Sequence, residues 1–445
     1  MDLEPWLARA AAQRPRHPAL VLADGEPVTY AQLHDHARAV GAELAAAGVR
    51  AGDRVALALP PGVPFVATLH AALMLGAAVV PVDLRLAPEE RRRRAAGAAV
   101  VVDAPPVDGA PRPRAGAEPP WVARMDPAAV ATVMHTSGTT AAPKPVALTV
   151  GNWCWNALGS ALALGLDPAD RWLCALPLSH VGGLSILLRS AIYGTTVVLH
   201  ERFHADAVAG ALRRDRVTLV SLVATTLQRT LDAGLERPGG APALRVALVG
   251  GGPLPPPLAA RAAAAGVPVA QTYGMTEACS QVTTSPPGEP ETAGRPLLGQ
   301  RVRIAADGEI EVAGPTVAPG AADADGWLRT GDLGALDARG RLTVTGRKAD
   351  TIVSGGENVA PQEVEAVLLA HPAVADAAVH GRPDPEWGEA VVATVVLRDG
   401  ARASERELRD HVAGRLARFK VPKAIAFAPR LPRTASGKLL RRALR

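Results

Sequence analysis

Cysteine is scarce in this chain, and the three cysteines that occur are far apart. Cys154, Cys174 and Cys279 form no C-x-x-C pair among the 445 residues. This spacing excludes a disulfide framework and a zinc site built on paired cysteines. A reducing compartment, the cytoplasm, is therefore the expected location.

Long apolar runs are also lacking. The most apolar segment, Phe65–Val82, contains His70 and is divided by Gly76 into a helix-like part and a strand-like part. A buried helix followed by a strand explains this segment better than a short membrane span does. The N-terminus has no basic region of the kind that opens a secretory signal. We expect no stable insertion into a membrane.

Negative charge is scarce in the last 45 residues, which hold 13 Lys and Arg but 3 Asp and Glu in a chain of net charge +5. Such a basic tail suggests nucleic acid or an anionic lipid surface as a partner. However, the tail has no interleaved aromatic residues and no nucleic-acid-binding motif. A basic domain that closes over phosphate-bearing small molecules explains the charge equally well. We expect small-molecule substrates and no nucleic acid, and the sequence leaves a homodimer open.

Helical and strand-like segments alternate through the first 270 residues. A helix is expected from Thr29 to about Ala47, and a strand over Arg54–Leu59 follows it. Repeated alternation of this kind is typical of an α/β fold with doubly wound sheets. The chain length predicts more than one domain.

The pattern changes after Arg301, where short strands alternate with glycine turns. These strands predict a small barrel-like subdomain at about residues 300–347. A final α+β unit follows, in which a Ser404/Glu407 capping box opens a helix that is expected to reach Phe419. We therefore expect an N-terminal domain of residues 1–347 and a small C-terminal domain of residues 348–445.

One hydroxyl-rich loop follows the strand-like run Val130–Met134. Its sequence is Thr136-Ser-Gly-Thr-Thr-Ala-Ala-Pro-Lys144-Pro-Val146. Small hydroxylated residues leave backbone N–H groups free to bind an anion, and Lys144 adds a mobile positive charge. The spacing is not that of a Walker loop. Residue chemistry alone leaves two interpretations open, a polyphosphate-binding loop and a Ser/Thr-rich surface turn.

Two further loops also follow apolar strand-like runs. Gly250-Gly-Gly-Pro253 comes after Leu244–Val249, and Tyr273-Gly-Met-Thr-Glu277 comes after Val267–Gln271. Loops at the strand ends of an open α/β sheet are where ligands bind. The sequence therefore predicts that these loops and the hydroxyl-rich loop meet at one site.

These loops resemble motifs of the acyl-adenylate-forming superfamily, which contains acyl-CoA synthetases, luciferases and nonribosomal peptide adenylation domains. Thr330-Gly-Asp332-Leu, Gly346-Arg347 and Pro432-Arg-Thr-Ala-Ser-Gly-Lys438 extend the resemblance in the same order. It covers nearly the whole chain and is weakest across residues 84–125. The resemblance implies an enzyme that uses ATP, Mg²⁺ and coenzyme A and has a mobile C-terminal domain.

The resemblance also implies a role for each matching residue. Lys438, His180 and Thr276 would be catalytic, Glu277 would help to hold Mg²⁺, and Gly355 and Gly356 would guide coenzyme A. The acyl group would lie against His180, Gly250 and Gly274. ATP would be bound by Thr136, Ser137, Gly138, Thr139, Thr140, Lys144, Gly251, Gly252, Tyr273, Gly274, Thr276, Asp332, Arg347 and Lys438.

Some positions depart from the family pattern. Ala141 and Pro145 stand where glycine is usual, and alanine resists positive φ while proline lacks an N–H donor. These departures predict a weaker hold on pyrophosphate. The hinge is expected two positions after Arg347, at Ala349, and the neighbouring Lys348 and Asp350 are the alternatives.

Longer runs are similar to the o-succinylbenzoate–CoA ligase branch of the superfamily, which serves menaquinone biosynthesis. These runs are Thr149-Val-Gly-Asn-Trp153, Gly159–Leu166, Leu176–Leu184, Ala191–His200 and Tyr273–Gln281. They imply formation of an acyl-CoA from o-succinylbenzoate, ATP and coenzyme A through an acyl-AMP intermediate. Three alternatives stay open: the same chemistry on another aromatic or medium-chain acid, a non-catalytic nucleotide-binding protein, and a basic partner of nucleic acid or membranes.

Overall fold

The computed structural model describes residues 3–22, 26–105, 119–136, 144–237, 239–433 and 439–444. Eleven α-helices lie within these ranges: α1 (Trp6–Gln13), α2 (Tyr30–Ala46), α3 (Val63–Met74), α4 (Pro88–Ala95), α5 (Val150–Leu164), α6 (Val181–Tyr193), α7 (Ala205–Arg214), α8 (Ala224–Thr230), α9 (Pro256–Ala264), α10 (Pro361–Leu369) and α11 (Glu405–Ala413).

The strands of the described ranges are β1 (Pro18–Leu22), β2 (Val28–Thr29), β3 (Arg54–Leu57), β4 (Ala78–Pro81), β5 (Val100–Val102), β6 (Val130–Thr136), β7 (Lys144–Thr149), β8 (Arg171–Cys174), β9 (Thr196–Leu199), β10 (Leu219–Leu222), β11 (Val246–Val249), β12 (Val269–Met275), β13 (Ser280–Thr284), β14 (Arg295–Pro296), β15 (Arg301–Ile304), β16 (Glu309–Ala313), β17 (Leu328–Leu336), β18 (Leu342–Arg347), β19 (Ile352–Ser354), β20 (Glu357–Val359), β21 (Val374–Asp384), β22 (Gly388–Leu397) and β23 (Ala424–Phe427).

Two mixed sheets form the first part of the chain. The larger has the strand order β14-β13-β12-β11-β10-β8-β9-β1-β2 and is parallel from β12 to β1, with antiparallel pairs at both edges. The smaller has the order β5-β3-β4-β6-β7, and its last pair is antiparallel. Non-consecutive neighbours require helical crossovers between parallel strands. This topology confirms the predicted α/β fold with doubly wound sheets.

A continuous hydrophobic core joins these sheets to the helices between them. Residues of α2, α3, α5 and α6 pack with residues of both sheets in one buried cluster. Trp153 of α5 is fully buried there, and its indole N–H donates to the Thr132 hydroxyl at 3.0 Å. The hydrogen bond satisfies the one polar group of the indole, so that the large ring can be buried without an unpaired donor.

Two smaller sheets form the last third of the chain. Strands β15 to β18 are an antiparallel meander over Arg301–Arg347, where the barrel-like subdomain was expected. Strands β20, β19, β22 and β21 form the next sheet, with β23 parallel to β22 and α10 and α11 packed against it. The predicted α+β unit is therefore confirmed as a fold, and the domain division at residue 348 stays a prediction.

Helix starts follow the sequence more closely than helix ends do. Ser404 caps α11 in the capping box that the sequence predicts, and Thr29, the predicted start of α2, caps that helix in a capping box that was not predicted. The expectation that the last helix reaches Phe419 is wrong, because α11 ends at Ala413. Gly414 follows with its low helix propensity, and Ala417 is extended at φ −59° and ψ 147°.

The predictions on membranes and cysteines can be compared with the described residues. Within the ranges given above, no helix combines the length and the apolar character that crossing a membrane needs. Phe65–Val82 contains most of α3 and all of β4, as the position of Gly76 predicts. The three cysteines are free thiols.

Candidate active site

Hydrogen bonds join three residues of the predicted site in a polar cluster that is centred on Asp332. Its Oδ1 accepts a hydrogen bond from Arg347 Nε at 2.7 Å, and its Oδ2 accepts one from the Tyr273 hydroxyl at 2.9 Å. Asp332 and Arg347 face each other because β17 and β18 pair in that register. The structure therefore brings together three residues that the sequence separates by up to 74 positions.

The charges of this cluster support one another. Burial lowers the pKa of Arg347, but the charge and hydrogen bond of Asp332 outweigh burial and raise it overall. Burial and the Asp332 charge both raise the pKa of Tyr273, which stays a protonated donor. A carboxylate has about four lone-pair positions, and these two bonds leave acceptor capacity on both oxygens. Two neighbouring hydroxyl groups, such as those of a ribose, fit this capacity.

The Tyr273–Glu277 stretch is a strand end and not only a turn, which differs from the expectation. Strand β12 continues to Met275 because β13 pairs with it beyond the apolar run. A Cβ atom on Gly274 would lie 1.8 Å from the Ser280 carbonyl oxygen, so the close approach of the two strands requires glycine. Thr276 and Glu277 follow in a short 3-10 turn.

Backbone strain lies directly after that turn. Cys279 and Ser280 have φ values of +52° and +84°, in the left-handed region that non-glycine residues rarely adopt. The Ala318 N–H donates to the Glu277 carbonyl at 2.8 Å and holds the turn from outside. Strain of this kind persists only where surrounding contacts impose it, and it is common at ligand-binding turns.

The glycine triplet lies beside the Tyr273 strand. Gly250 follows β11, and a Cβ there would lie 2.7 Å from Cγ2 of Thr272, one residue before Tyr273. Gly251 has φ +77°, and nothing lies within 4 Å of a Cβ built on Gly252. Gly250 therefore lies against β12, and Gly252 has open space beside it.

His180 is the N-cap residue of α6, and three residues later Gly183 packs closely against the backbone of Pro177. A Cβ on Gly183 would lie 2.4 Å from the Pro177 carbonyl oxygen, which fixes the path of the chain around the histidine. Burial lowers the pKa of His180, and the Asp83 carboxylate only partly offsets this effect. The imidazole is therefore neutral at pH 7. An uncharged imidazole is compatible with the predicted position of His180 against the acyl group of the substrate.

Part of the predicted ATP site lies outside the described residues. This applies to Ser137, Gly138, Thr139, Thr140 and Lys438, and also to Ala141. The two flanks of the phosphate loop are described: Thr136 pairs with Lys144 across β6 and β7, and its hydroxyl donates to the Lys144 carbonyl at 3.4 Å. The predicted loop therefore connects two paired antiparallel strands.

Gly355 and Gly356, the predicted coenzyme A residues, form the turn between β19 and β20. Their φ values of +60° and +82° are those of a type I′ hairpin turn, which favours glycine at both positions. The Gly355 N–H donates to the Trp387 carbonyl at 2.8 Å, and a Cβ on Gly355 would lie 2.9 Å from the indole ring. This turn lies in the C-terminal sheet, whereas Asp332 and Arg347 lie in the preceding sheet and Tyr273 lies in the larger mixed sheet.

The predicted magnesium residue has the donor chemistry that Mg²⁺ requires. Glu277 is half-buried, and its side chain makes no hydrogen bond or ion pair with the part of the chain that the structure describes. Over the same residues no group of three His, Cys, Asp or Glu side chains could hold a metal ion. Mg²⁺ in nucleotide sites is bound by one or two carboxylates together with phosphates and water, so a single carboxylate fits.

Arg189 is a buried charge that the sequence analysis missed. It lies in α6, is 1% exposed, and donates from Nε and Nη2 to the Asn156 amide oxygen at 3.1 and 2.5 Å. No carboxylate of the described residues forms an ion pair with it. A cation inside the mostly apolar run Leu184–Ile192 was the available signal. Burying a cation that has no carboxylate partner among the described residues is costly.

The fold, in which two larger α/β sheets are followed by an antiparallel sheet and a C-terminal α+β unit, is that of an adenylate-forming enzyme. The chain belongs to the AMP-binding enzyme family, whose model matches residues 7–321. The model of the AMP-binding enzyme C-terminal domain matches residues 363–438.

Similar proteins narrow the position of the chain within this family. It is 41% identical to 2-succinylbenzoate–CoA ligase of Bacillus subtilis (strain 168) over 99% of this chain and 97% of the relative. The structure matches o-succinylbenzoate CoA synthetase from Bacillus subtilis, in complex with the acyl-adenylate intermediate OSB-AMP, with a TM-score of 0.90 and 39% identity over 100% and 98% of the two chains. A double mutant of that synthetase bound with its product analogue OSB-NCoA gives a TM-score of 0.74 at the same identity, over 100% and 99% of the two chains.

Proposed function

We propose that this chain is an AMP-forming acid–CoA ligase that converts o-succinylbenzoate, ATP and coenzyme A into o-succinylbenzoyl-CoA, AMP and diphosphate. The observation that carries the proposal is the end-to-end similarity to 2-succinylbenzoate–CoA ligase, at 41% identity. The Asp332 cluster supports the nucleotide part of the reaction. The pathway served would be menaquinone biosynthesis, and the place of action would be the cytoplasm.

In the first half-reaction, a carboxylate oxygen of the succinyl arm attacks the α-phosphorus of ATP, and diphosphate leaves. Asp332 holds the ribose, Tyr273 lies against the adenine, and Thr276 meets the α-phosphate. Lys438 offsets the charge that forms between the carboxylate and the α-phosphate. Lys144 and the loop that precedes it hold the β- and γ-phosphates. Mg²⁺ held by Glu277 and the phosphates would supply further positive charge.

In the second half-reaction, the sulfur of coenzyme A attacks the acyl carbonyl carbon, and AMP leaves. We propose that the residues after 348 rotate between the steps, which removes Lys438 and brings in Gly355 and Gly356. The two TM-scores against one relative, 0.90 and 0.74, support more than one arrangement of this fold. Rotation of a small domain on a short hinge fits such alternation.

The experiment that tests the proposal is release of diphosphate from MgATP across a panel of carboxylic acids. We expect a strong preference for o-succinylbenzoate over benzoates, coumarates and medium-chain acids. If the enzyme released diphosphate only with a different acid, the proposed reaction would stand, but o-succinylbenzoate as its substrate and menaquinone biosynthesis as its pathway would be rejected. If no acid caused release of diphosphate, the result would favour a nucleotide-binding protein without catalytic activity.

Arg189 provides a test of how the second carboxylate of o-succinylbenzoate, the one on its ring, is accommodated. The strand that pairs with Gly274 contains Gln281, whose carbonyl accepts from Asn156, the partner of Arg189. We infer that the charge of Arg189 serves this carboxylate, because its partner Asn156 contacts the strand beside Gly274, a predicted acyl residue. We expect Arg189→Gln to raise KM for o-succinylbenzoate about tenfold or more, since a hydrogen bond to a charged group contributes about 1.5–3 kcal/mol.

Arg189→Lys is the matched variant because it keeps the positive charge. Its KM for o-succinylbenzoate should lie between that of Arg189→Gln and that of the wild type. KM for ATP should stay unchanged in both variants. An equal loss of activity with a monocarboxylic acid would contradict the proposed role and would assign Arg189 to the packing of α6.

Assembly into a homodimer stays a prediction. The proposed reaction needs only residues of one chain and small-molecule substrates.

A further inference from the structure

One buried carboxylate lies between the Asp332 cluster and the predicted hinge. Glu309, the first residue of β16, is 4% exposed. Its Oε1 accepts from the Gly331 backbone N–H at 2.9 Å, directly before Asp332. Its Oε2 accepts from Arg329 at 2.8 Å and from Lys348 Nζ at 3.3 Å. A single side chain thus contacts both the strand that carries Asp332 and the residue that follows Arg347.

A second carboxylate also holds Lys348 to the four-stranded sheet. Its ammonium lies 2.6 Å from the Asp307 carboxylate. Two positions later, the Asp350 carboxylate instead pairs with Arg441 at 3.1 Å, and Arg441 also binds Glu365 of α10. Lys348 is therefore anchored to the first part of the chain and Asp350 to the last part. Ala349 is the one residue between the two anchors.

The surrounding groups keep Glu309 ionised at neutral pH. Burial by itself raises its pKa, but the Gly331 N–H, Lys348 and Arg329 together lower it overall. An ionised carboxylate accepts on both oxygens at once. Gly331 has φ +70°, a conformation that the Glu309 hydrogen bond helps to hold in front of Asp332.

We propose that Glu309 is a positioning residue that couples the ribose-binding strand to the hinge and stabilises the arrangement used for adenylate formation. This inference rests on the proposed two-step reaction. When the residues after 348 rotate, Lys348 is the side chain next to the pivot, and its pairs with Glu309 and Asp307 hold the near side of the pivot in the arrangement that the structure shows. Because one carboxylate binds both Gly331 and Lys348, the position of Asp332 depends on the arrangement of the hinge.

The test measures the two half-reactions separately in variants of both partners. Lys348 is half-exposed and Arg329 remains to neutralise Glu309, so Lys348→Met should fold normally. Exposed or partly exposed ion pairs are weak, so we expect adenylate formation to slow about threefold to fivefold. Formation of the thioester from supplied acyl-AMP should be unchanged or faster. Lys348→Arg should restore the rate of adenylate formation.

Variants of Glu309 separate its two contacts. Glu309→Gln keeps an acceptor for the Gly331 N–H and should reproduce Lys348→Met with KM for ATP unchanged. The double variant Lys348→Met/Glu309→Gln should form the adenylate no more slowly than either single variant, because each substitution removes the ion pair between Glu309 and Lys348. Glu309→Leu removes both contacts and should also raise KM for ATP about tenfold, as expected for loss of a hydrogen bond to a charged acceptor.

Asp337→Asn is the matched control, since it breaks an exposed pair with Arg341 in the same sheet and should change neither half-reaction. Equal slowing of both half-reactions in Lys348→Met, or no slowing of adenylate formation, would overturn the coupling. Activity of the wild type on a different acid would reject the proposed substrate and leave the coupling measurable with that acid. A wild type that is silent with every acid would contradict both proposals.

Discussion

Replacing Lys438 by alanine should abolish adenylate formation while thioester formation from supplied acyl-AMP persists. The resemblance places this lysine between the attacking carboxylate and the α-phosphate, where its charge acts only in the first step. Removing one preorganised electrostatic contact in an active site costs about 10²–10³ in rate. We therefore expect release of diphosphate to fall by at least that factor. Both half-reactions should be followed by separation of acyl-AMP, acyl-CoA and AMP.

Lys423→Ala is a suitable control, because it removes a positive charge from the same basic region without touching the Lys438 motif. Lys423 packs over the Trp387 ring, so its loss should spare adenylate formation. If Lys438→Ala slowed the two half-reactions to the same extent, the assignment of this lysine to the first step would be wrong.

Replacing Asp332 by asparagine should impair both half-reactions, in contrast to Lys438→Ala. ATP and acyl-AMP carry the same ribose, and the carboxylate would accept from its two hydroxyls in both steps. The substitution also leaves Arg347, now bonded at 2.7 Å, without its counter-charge. Hydrogen bonds to charged groups contribute about 1.5–3 kcal/mol each, so kcat/KM for ATP should fall about a hundredfold or more.

The thermal unfolding temperature distinguishes loss of binding from loss of folding. Asp332→Asn should melt within a few degrees of Asp337→Asn, which removes a neighbouring exposed carboxylate. An Asp332→Asn chain that is folded and binds ATP normally would show that Asp332 does not hold the nucleotide.

Much of the fold could be predicted because local signals and tertiary structure agree. The Thr29 cap, the Gly76 stop and the Ser404 capping box mark element ends through backbone chemistry that acts within a few residues. The end of α11 could not be predicted in this way. Leu416 and Phe419 continue the apolar period, but they pack on the core from the segment after Gly414, in which Phe419 lies in a short 3-10 helix.

The site shows the same division between local and long-range information. Motif order indicates that Tyr273, Asp332 and Arg347 belong together. The Asp332–Arg347 bond, however, depends on the register of β17 with β18, and the Tyr273–Asp332 bond joins two different sheets. Glu309 and Arg189 have no motif that marks them. Their significance arises from burial and from partners that are distant in sequence, which the pattern of residues does not specify.

The most direct test of the central claim is a single-turnover reaction of the wild-type chain with MgATP and o-succinylbenzoate, first without coenzyme A. The account predicts that about one equivalent of o-succinylbenzoyl-AMP accumulates with diphosphate, and that added coenzyme A converts it to the thioester and AMP. Formation of ADP and phosphate, or of the thioester without an adenylate that can be trapped, would contradict the account.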